Sequence, residues 1–327
     1  MKKHFKKLLL MALMAVMAVG LIACGTDKSD NESTKEEKTS VTITSLDASK
    51  NEIELEVPYN PKRIAILDLA SLDIIDELGV GDRVVGMAST SIDYLEKYSN
   101  DASIKNLGTI KEADLEAVME CEPDIIFIGG RLSKSYDALS EIAPVVYLAT
   151  DTNEGLVNSV SKNAKTIASI FGMEDKVDSL MSDFGARIDT IKKISSGKTA
   201  LVGMTTSGSF NLLGNDGRCS LIGVEAGFNN LTAAGSTSTH GNETSFETVV
   251  KQNPDYIFVM DRDSAITNIT AGAKNAKEIV ENELVKTTDA YKNNHIIYLE
   301  HSNVWYTAEG GIQALDIMLT DLEKGLK

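Results

Sequence analysis

The sequence predicts an α/β fold with two lobes of mostly parallel sheet, joined by a single long helix. Strand-like apolar runs alternate with amphipathic helical segments, a pattern typical of parallel sheets. Residues 114–131 (DLEAVMECEPDIIFIGGR) and 245–262 (SFETVVKQNPDYIFVMDR) also form a gapless internal repeat with seven of eighteen positions identical. Because internal repeats reveal architecture, we expect two related halves, each with a strand that ends in an arginine.

The first residues have the pattern of a lipoprotein signal peptide. Four lysines lie within the first seven residues, and an apolar run then extends to Ala23 and closes with LIAC-G. This run is shorter than the roughly 20 residues of a transmembrane helix, and the closing residues resemble the lipobox of bacterial lipoproteins. We therefore expect a signal peptide over 1–23 and a lipid on Cys24. Residues 24–40 are predicted to be a flexible tether, because 25–40 contain no large apolar residue.

Residues 41–173 are predicted to form the N-terminal lobe. Alternating apolar residues in VTITSL and IELEV favour a β-hairpin, and short apolar runs favour buried strands. In order, the predicted elements are the hairpin, a strand at 64–67, a helix ending at Gly79, a strand at 84–87, the helix and strand of the first repeat copy, a helix at 136–142, a strand at 145–148 and a helix ending at Gly172.

The next apolar stripe predicts a helix over 174–196 that links the lobes. At about 1.5 Å per residue it would span about 30 Å, roughly the width of a lobe. Residues 197–327 are then predicted to form the C-terminal lobe. Its predicted elements are the strand TALVGM, the loop of GNDGRCSLIG with its helix, the second repeat copy, the strand HIIYLE and a final helix at 312–326.

The charge of the chain limits its partners. The formal net charge is −16, and it becomes −20 when the four lysines of 1–23 are removed. This balance argues against nucleic acid or an anionic surface as a general partner. Few of the basic residues are arginines, so an arginine is favoured where a planar, permanently charged group is needed. Cys121 and Cys219 lie in different halves, and we expect them to be free and structural.

Three arginines are candidate ligand-binding residues. Arg131 and Arg262 close equivalent strands, and Arg218 lies in a loop of the second half. Ligands of open parallel sheets bind beyond the carboxyl ends of the strands, so facing lobes would direct both repeat arginines into one cleft. Each arginine alone is more typical of a surface ion pair than of a binding site. Together they suit a planar anion with several oxygens, held by forked, charge-assisted hydrogen bonds.

His240 and Tyr306 are candidate metal ligands. His240 lies in the turn THG, and Tyr306 follows the strand IIYL in the segment WYTAEGG. A loop histidine can be a ligand or simply exposed, and an aromatic pair can serve packing alone. A phenolate is nevertheless a hard oxygen donor of the kind that ferric iron prefers.

Six segments of the chain carry a family resemblance: LIAC-G, IIFIGGRLSKSYDALSEIAP, GNDGRCS, STHGNETSFE, NPDYIFVMDR and IIYLEHSNVWYTAEGG. Together they resemble the iron-siderophore substrate-binding proteins of ABC importers. Within that family, the chain resembles the branch that binds catecholate siderophores of the petrobactin and linear enterobactin-fragment type. The resemblance implies a class III periplasmic-binding-protein fold with no intrinsic cofactor and an Fe(III)-siderophore as ligand. It also implies that Arg131, Arg218 and Arg262 hold the catecholates, while His240 and Tyr306 complete the iron coordination. His301, close to Tyr306 in sequence, leaves open which side chain reaches the metal.

The resemblance also implies a role for Glu116 and Glu247, which occupy equivalent positions of the repeat. In this family such paired glutamates dock onto a dimeric ABC permease. Without the repeat, both would be interpreted as ordinary solvated helix residues. The expected partners are therefore a ferric siderophore, the permease dimer and, through the lipid on Cys24, the outer surface of the cell membrane. We expect a monomer.

Two alternatives remain at this stage. The first is a receptor of the same fold for haem or another iron chelate; a Zn or Mn receptor fits less well, because arginines dominate the candidate site. The second is an enzyme. No G-x-S-x-G, H-E-x-x-H or phosphate-loop motif lies near the histidines outside the signal peptide, so we expect no catalysis.

Overall fold

The computed structural model describes residues 38–233, 238–266 and 274–327. Residues Lys38–Lys327 form one compact unit. Within the described ranges, no helix is both long and apolar enough to cross a membrane. The predicted signal peptide, the lipidation site Cys24 and most of the predicted tether lie outside these ranges, so these assignments stay predictions.

The first half of the chain builds a five-stranded parallel sheet. Its elements are β1 (Ser40–Leu46), β2 (Glu52–Pro58), β3 (Ile64–Leu67), α1 (Leu69–Glu77), β4 (Val84–Met87), α2 (Glu96–Ser99), β5 (Lys105–Asn106), β6 (Gly108–Thr109), β7 (Glu112–Ala113), α3 (Leu115–Glu120), β8 (Ile125–Ile128), α4 (Tyr136–Ser140) and β9 (Val145–Tyr147). The strand order is β5-β4-β3-β8-β9, while β1 pairs with β2 and β6 with β7 in antiparallel hairpins. Every residue of the central strands β3 and β8 is buried, as expected when both faces of a parallel sheet are covered.

The segment between the halves is helical but not continuous. It comprises α5 (Leu156–Phe171), α6 (Glu174–Leu180) and α7 (Phe184–Ser195), with a turn at 181–183. The predicted single helix over 174–196 is thus two helices. At the break, the N–H and the hydroxyl of Ser182 both donate to the carbonyl of Ser179, at 3.4 and 2.9 Å. These local bonds replace the regular α-helical pattern at this point.

The second half builds a six-stranded mixed sheet with four parallel strands. Its elements are β10 (Thr199–Thr206), β11 (Ser209–Leu213), α8 (Ser220–Gly223), β12 (Asn229–Asn230), β13 (Asn242–Glu243), α9 (Phe246–Gln252), β14 (Tyr256–Asp261), α10 (Arg262–Ala265), α11 (Ala276–Val280), α12 (Asp289–Lys292), β15 (Ile296–Tyr298), α13 (Ser302–Thr307) and α14 (Ile312–Gly325). The order is β13-β11-β10-β14-β15, with β12 also beside β10. Strands β10, β14 and β15 run parallel, which confirms the α/β fold class with two parallel-sheet halves.

The internal repeat has the same structural role in both halves. Strand β8 lies between β3 and β9, and its counterpart β14 lies between β10 and β15. The aspartate of each Pro-Asp pair connects its strand to the neighbouring strand. Asp124 accepts hydrogen bonds from the N–H groups of Lys62 and Arg63, at 2.7 and 2.9 Å, just before β3. Asp255 accepts from the N–H and the hydroxyl of Thr199, both at 2.8 Å, at the start of β10.

The C-terminal helix α14 packs against the first half of the chain as well as the second. It contacts α1 and α5, and the carboxylate of Asp73 in α1 accepts hydrogen bonds from the N–H groups of Gln313 and Ala314, both at 2.9 Å. Asp73 is fully buried, and its carboxylate caps the N-terminus of α14 although Asp73 itself belongs to α1. Helix α14 therefore contacts both halves, which the predicted boundary at 197 does not describe, and the division into 41–173, 174–196 and 197–327 stays a prediction.

Candidate functional site

Three guanidinium groups surround the ring of Tyr306. The central carbon of the Arg218 guanidinium lies 4.3 Å from the ring centroid, that of Arg131 5.4 Å and that of Arg262 5.6 Å. The sequence placed Arg131 and Arg262 after equivalent strands, and the two residues do converge on one point. All three predicted arginines and the predicted tyrosine therefore form one cluster.

Arg131 enters this cluster from the first half. It lies in the 3-10 turn Gly130–Ser135 that follows β8, and its Nη2 donates to the carbonyl oxygen of Tyr306 at 3.0 Å. A glycine at position 129 leaves room for the side chain of Asp68, because a Cβ there would lie 2.4 Å from a carboxylate oxygen of Asp68 and would force that side chain to move. Burial raises the pKa of Asp68, while hydrogen bonds from Ser71 and the charge of Arg131 act in the opposite direction.

Arg262 enters from the second half as the first residue of α10, directly after β14. Its Nε donates to the Tyr306 hydroxyl at 3.1 Å, and its Nη1 donates to the Thr206 hydroxyl at 3.0 Å. The carboxylate of Asp263 lies 3.5 Å from the same Nη1. Arg262 therefore contacts the end of the tyrosine side chain at which a metal would bind.

Arg218 completes the triad from the loop before α8. Its Nη1 donates to the Thr239 carbonyl at 2.6 Å, and its Nε approaches the Tyr306 carbonyl at 3.4 Å. The next residue, Cys219, has a φ of 61°, in the left-handed region that non-glycine residues rarely adopt. Cys121 and Cys219 are both free and buried, as expected.

The arginine cluster changes the acidity of the tyrosine. Tyr306 is 3 % exposed, and burial alone would raise its pKa. The hydrogen bond from Arg262 and the charges of Arg218, Arg262 and Arg131 outweigh burial, so the pKa of Tyr306 is lowered. The arginines thus make the phenol easier to deprotonate, and the phenolate is the form of tyrosine that binds a metal ion.

His240 lies in an exposed turn within reach of the same positive field. The neighbouring residue Thr239 is the acceptor for Arg218, and the carbonyl of His240 accepts from the side-chain amide of Asn211 at 2.8 Å. Partial burial lowers the pKa of His240, and the charges of Arg262, Arg218, Lys111 and Arg131 lower it further. The neutral imidazole, which is the form that can coordinate a metal, is therefore favoured.

His301 is directed to a different part of the molecule. Its Nδ1 lies 2.7 Å from a carboxylate oxygen of Asp321 in α14. Tyr306 therefore lies among the arginines, while His301 pairs with the C-terminal helix. Within the described residues, Glu300, His301 and Asp321 are the one group of His, Cys, Asp and Glu donors close enough to share a metal ion. In that group the His301 and Asp321 donors already face each other, and Glu300 pairs with Lys324 at 2.9 Å.

Two adjoining cavities open onto the cluster, and residues of both halves line them. The cavity of about 210 Å³ is lined by Asp68, Arg131, Arg218, Tyr306 and Glu309, among others. Arg218 and Glu309 also line a larger neighbour of about 660 Å³, which extends to β1 and α5.

Glu309 is a site residue that the sequence analysis missed. Its carboxylate accepts from the N–H of Cys219 at 2.9 Å. Burial raises the pKa of Glu309 to about 7, against the lowering effects of the Cys219 N–H and the charge of Arg218. In the sequence, the position of Glu309 between Tyr306 and the double glycine of YTAEGG could have suggested a role in the site. Only the fold, however, brings Glu309 next to Arg218.

Glu116 and Glu247 both lie on the surface. Each is exposed and occupies the first turn of its helix, α3 or α9. The N-caps of these helices, Asp114 and Ser245, also occupy equivalent positions of the repeat. The two glutamates are thus displayed in the same way by the two halves, as an interaction with a two-fold symmetric partner would require.

Comparisons with known proteins give a consistent family assignment. Residues 64–302 match the family model described as "Periplasmic binding protein". The petrobactin-binding protein YclQ of Bacillus subtilis is 36 % identical over 98 % of this chain and 99 % of its own, and its crystal structure superposes with a TM-score of 0.80 over 88 % and 99 % of the two chains. The ferric-anguibactin-binding protein FatB of Vibrio anguillarum is 26 % identical over 82 % of this chain and 84 % of its own.

A second solved structure agrees. The periplasmic catecholate-siderophore binding protein VctP of Vibrio cholerae is 30 % identical, with a TM-score of 0.78 over 87 % of this chain and 100 % of its own. These matches confirm the resemblance that the sequence motifs indicated, and they place the chain among substrate-binding proteins rather than enzymes. The chain belongs to the periplasmic binding protein family.

Proposed function

We propose that this protein is a lipid-anchored extracytoplasmic receptor that binds a ferric catecholate siderophore between its two halves and delivers it to the permease dimer of an ABC importer. The observation that carries the proposal is the convergence of Arg131, Arg218 and Arg262 on Tyr306. Three fixed cations in a chain of net charge −16 call for an anionic ligand.

The chemistry of the cluster favours catecholates over simpler anions. A metal-bound catecholate carries two negative oxygens, which suit the planar donors of arginine. The lowered pKa of Tyr306 makes it easier for ferric iron to displace the phenolic proton and bind the hard oxygen, and neutral His240 can add a nitrogen. The names of YclQ and VctP include petrobactin and catecholate siderophores, which agrees with this chemistry. FatB, named for ferric anguibactin, makes another ferric chelate the second candidate.

Delivery requires contacts on the outer surface. Exposed Glu116 and Glu247, displayed alike by the two halves, support docking onto a two-fold symmetric permease. A lipid at Cys24 and a tether over 24–40 would keep the receptor at the membrane that carries the permease. The domain boundaries 41–173, 174–196 and 197–327 remain our working division, with α14 as the exception described above.

Replacing any arginine of the triad by alanine should weaken binding of a ferric bis-catecholate about tenfold to a hundredfold, because a hydrogen bond to a charged group contributes about 1.5–3 kcal/mol. Quenching of Trp305, the only tryptophan, measures the affinity. Arg63→Ala is the matched control, since Arg63 instead donates to the carbonyl of Glu122 before β8 at 2.9 Å. Wild-type affinity in all three triad variants would remove the triad from the site.

Tyr306→Phe and His240→Ala should each change the charge-transfer absorption of a tetradentate ferric catecholate bound to the protein. A hexadentate ferric siderophore should show almost no change, because its own oxygens fill the coordination sphere. Visible absorption spectra of the two complexes make the comparison, with the hexadentate complex as the internal control. Identical spectra for the variants and the wild type with the tetradentate ligand would rule out direct coordination.

Affinity for an anionic ligand should fall as the pH rises through about 7, the pKa of Glu309. Below that pH the carboxyl is neutral, whereas above it the carboxylate offsets the charges of Arg218 and Arg131 and repels the ligand. The charge of Glu225 also contributes to the raised pKa of Glu309. Affinities of wild type and Glu309→Gln, measured from about pH 6 to 8, isolate this effect from titration of the ligand. A pH dependence that persists unchanged in the glutamine variant contradicts the assignment.

Reversing the charge of both repeat glutamates, in Glu116→Arg/Glu247→Arg, should abolish siderophore-dependent iron uptake in cells and leave the affinity of the purified protein unchanged. The reason is that the permease would meet two repelling charges at once. Uptake of radioactive iron measures the effect. The double variant Glu141→Arg/Glu283→Arg changes two other exposed glutamates by the same charge and should transport normally. Equal uptake by the two double variants would argue against docking through these residues.

A further inference from the structure

We propose that Asp321, a buried residue of the C-terminal helix, is the positioning residue that sets the location of Tyr306 and, through it, the geometry of the arginine triad. The inference deepens the proposed function and rests on it for its consequence in binding. Asp321 itself does not lie among the residues that line either cavity.

Asp321 is buried, and its carboxylate is fully engaged. Its side chain is 1 % exposed. One oxygen lies 2.7 Å from His301 Nδ1, and the other accepts from the backbone N–H of His301 and from Trp305 Nε1, both at 3.0 Å. Burying a carboxylate costs free energy unless hydrogen-bond donors pair with it. Here all three donors belong to His301 and Trp305, so Asp321 binds this short segment specifically.

These donors belong to the helix that carries the tyrosine. His301 is the N-cap of α13 (Ser302–Thr307), and its own side chain makes no capping hydrogen bond within that helix. Trp305 is fully buried in the same helix and precedes Tyr306 directly. An isolated helix of six residues is unstable in water, so the position of α13 depends on its tertiary contacts. Asp321 fixes α13 at its N-cap and again at Trp305.

A displacement of α13 would affect the triad directly. The carbonyl of Tyr306 accepts from Arg131, and Arg218 approaches the same oxygen. The hydroxyl of Tyr306 accepts from Arg262. Each arginine therefore takes its position partly from Tyr306, and Asp321 acts on all three through the helix without touching the ligand.

Helix α14 is itself anchored to other parts of the chain. Asp73 in α1 caps its N-terminus, and Arg187 in α7 binds its outer side through Thr320 and Glu323, at 2.9 and 2.8 Å. Helix α14, which positions Tyr306 through α13, is thus itself held in place by the first half and by the linking segment. Arg187 offers a matched control, because its loss removes hydrogen bonds to α14 but leaves the Asp73 cap and every hydrogen bond from Asp321 to α13 in place.

The test compares Asp321→Ala, Asp321→Asn and Arg187→Ala, with iron(III) and two equivalents of 2,3-dihydroxybenzoate as the probe. We expect Asp321→Ala to lower the affinity about tenfold or more and to remove the part of the charge-transfer absorption that Tyr306→Phe also removes. Asp321→Asn should be intermediate, since its carbonyl can still accept from His301 and Trp305. Arg187→Ala should keep the wild-type spectrum and affinity. Wild-type spectra and affinity in folded Asp321 variants would overturn the proposal, and if the alanine variant does not fold, the asparagine variant decides.

A ligand-free measurement separates this proposal from the proposed function. Hydrogen exchange of the segment 302–307, followed by mass spectrometry, should be faster in Asp321→Asn than in Arg187→Ala. If the wild type fails to bind the probe, the siderophore assignment fails, and exchange alone then decides the role of Asp321. Equal exchange in the two variants would overturn that role.

Discussion

The convergence of three like charges on one tyrosine is the constraint on which the site depends. Guanidinium groups repel one another, and holding three of them around a single ring is unfavourable unless negative charge is supplied. The carbonyl and hydroxyl oxygens of Tyr306 accept hydrogen bonds from Arg131 and Arg262, and the carboxylate of Asp263 lies near Arg262. We infer that an anionic ligand supplies further negative charge, so that its binding relieves the repulsion among the three guanidinium groups.

The fold supplies this convergence at the ends of its parallel strands. Strands β8 and β14 occupy equivalent positions in the two sheets, and each leads directly into a turn or helix that begins near its arginine. The repeated aspartates Asp124 and Asp255 secure the opposite ends of the same strands. Within one segment the repeat therefore connects its strand to the neighbouring strand at the Pro-Asp pair, and we propose two further roles for it: ligand binding at its arginine and permease docking at its glutamate.

The sequence predicted those site residues that can be recognised from the neighbouring sequence alone. Arg131 and Arg262 were found because the repeat aligns them after apolar strands. Arg218, His240 and Tyr306 were candidates from their residue types and loop positions, and the family resemblance implied their roles. Glu309, Asp321 and Asp73 were missed, because their roles arise from contacts between segments far apart in the chain. The linking helix was predicted as continuous, since apolar spacing passes unchanged through 181–183, whereas Ser182 breaks the hydrogen-bond pattern there without altering that spacing.

The central claim is that the arginine cluster selects a ferric catecholate. The most direct test is to titrate the purified protein separately with a ferric bis-catecholate, haem and Zn(II), following the fluorescence of Trp305, which neighbours Tyr306 in α13. We predict saturable quenching by the ferric bis-catecholate at far lower concentrations than by haem, and no specific quenching by Zn(II). Saturable quenching by haem or Zn(II) alone would contradict the account.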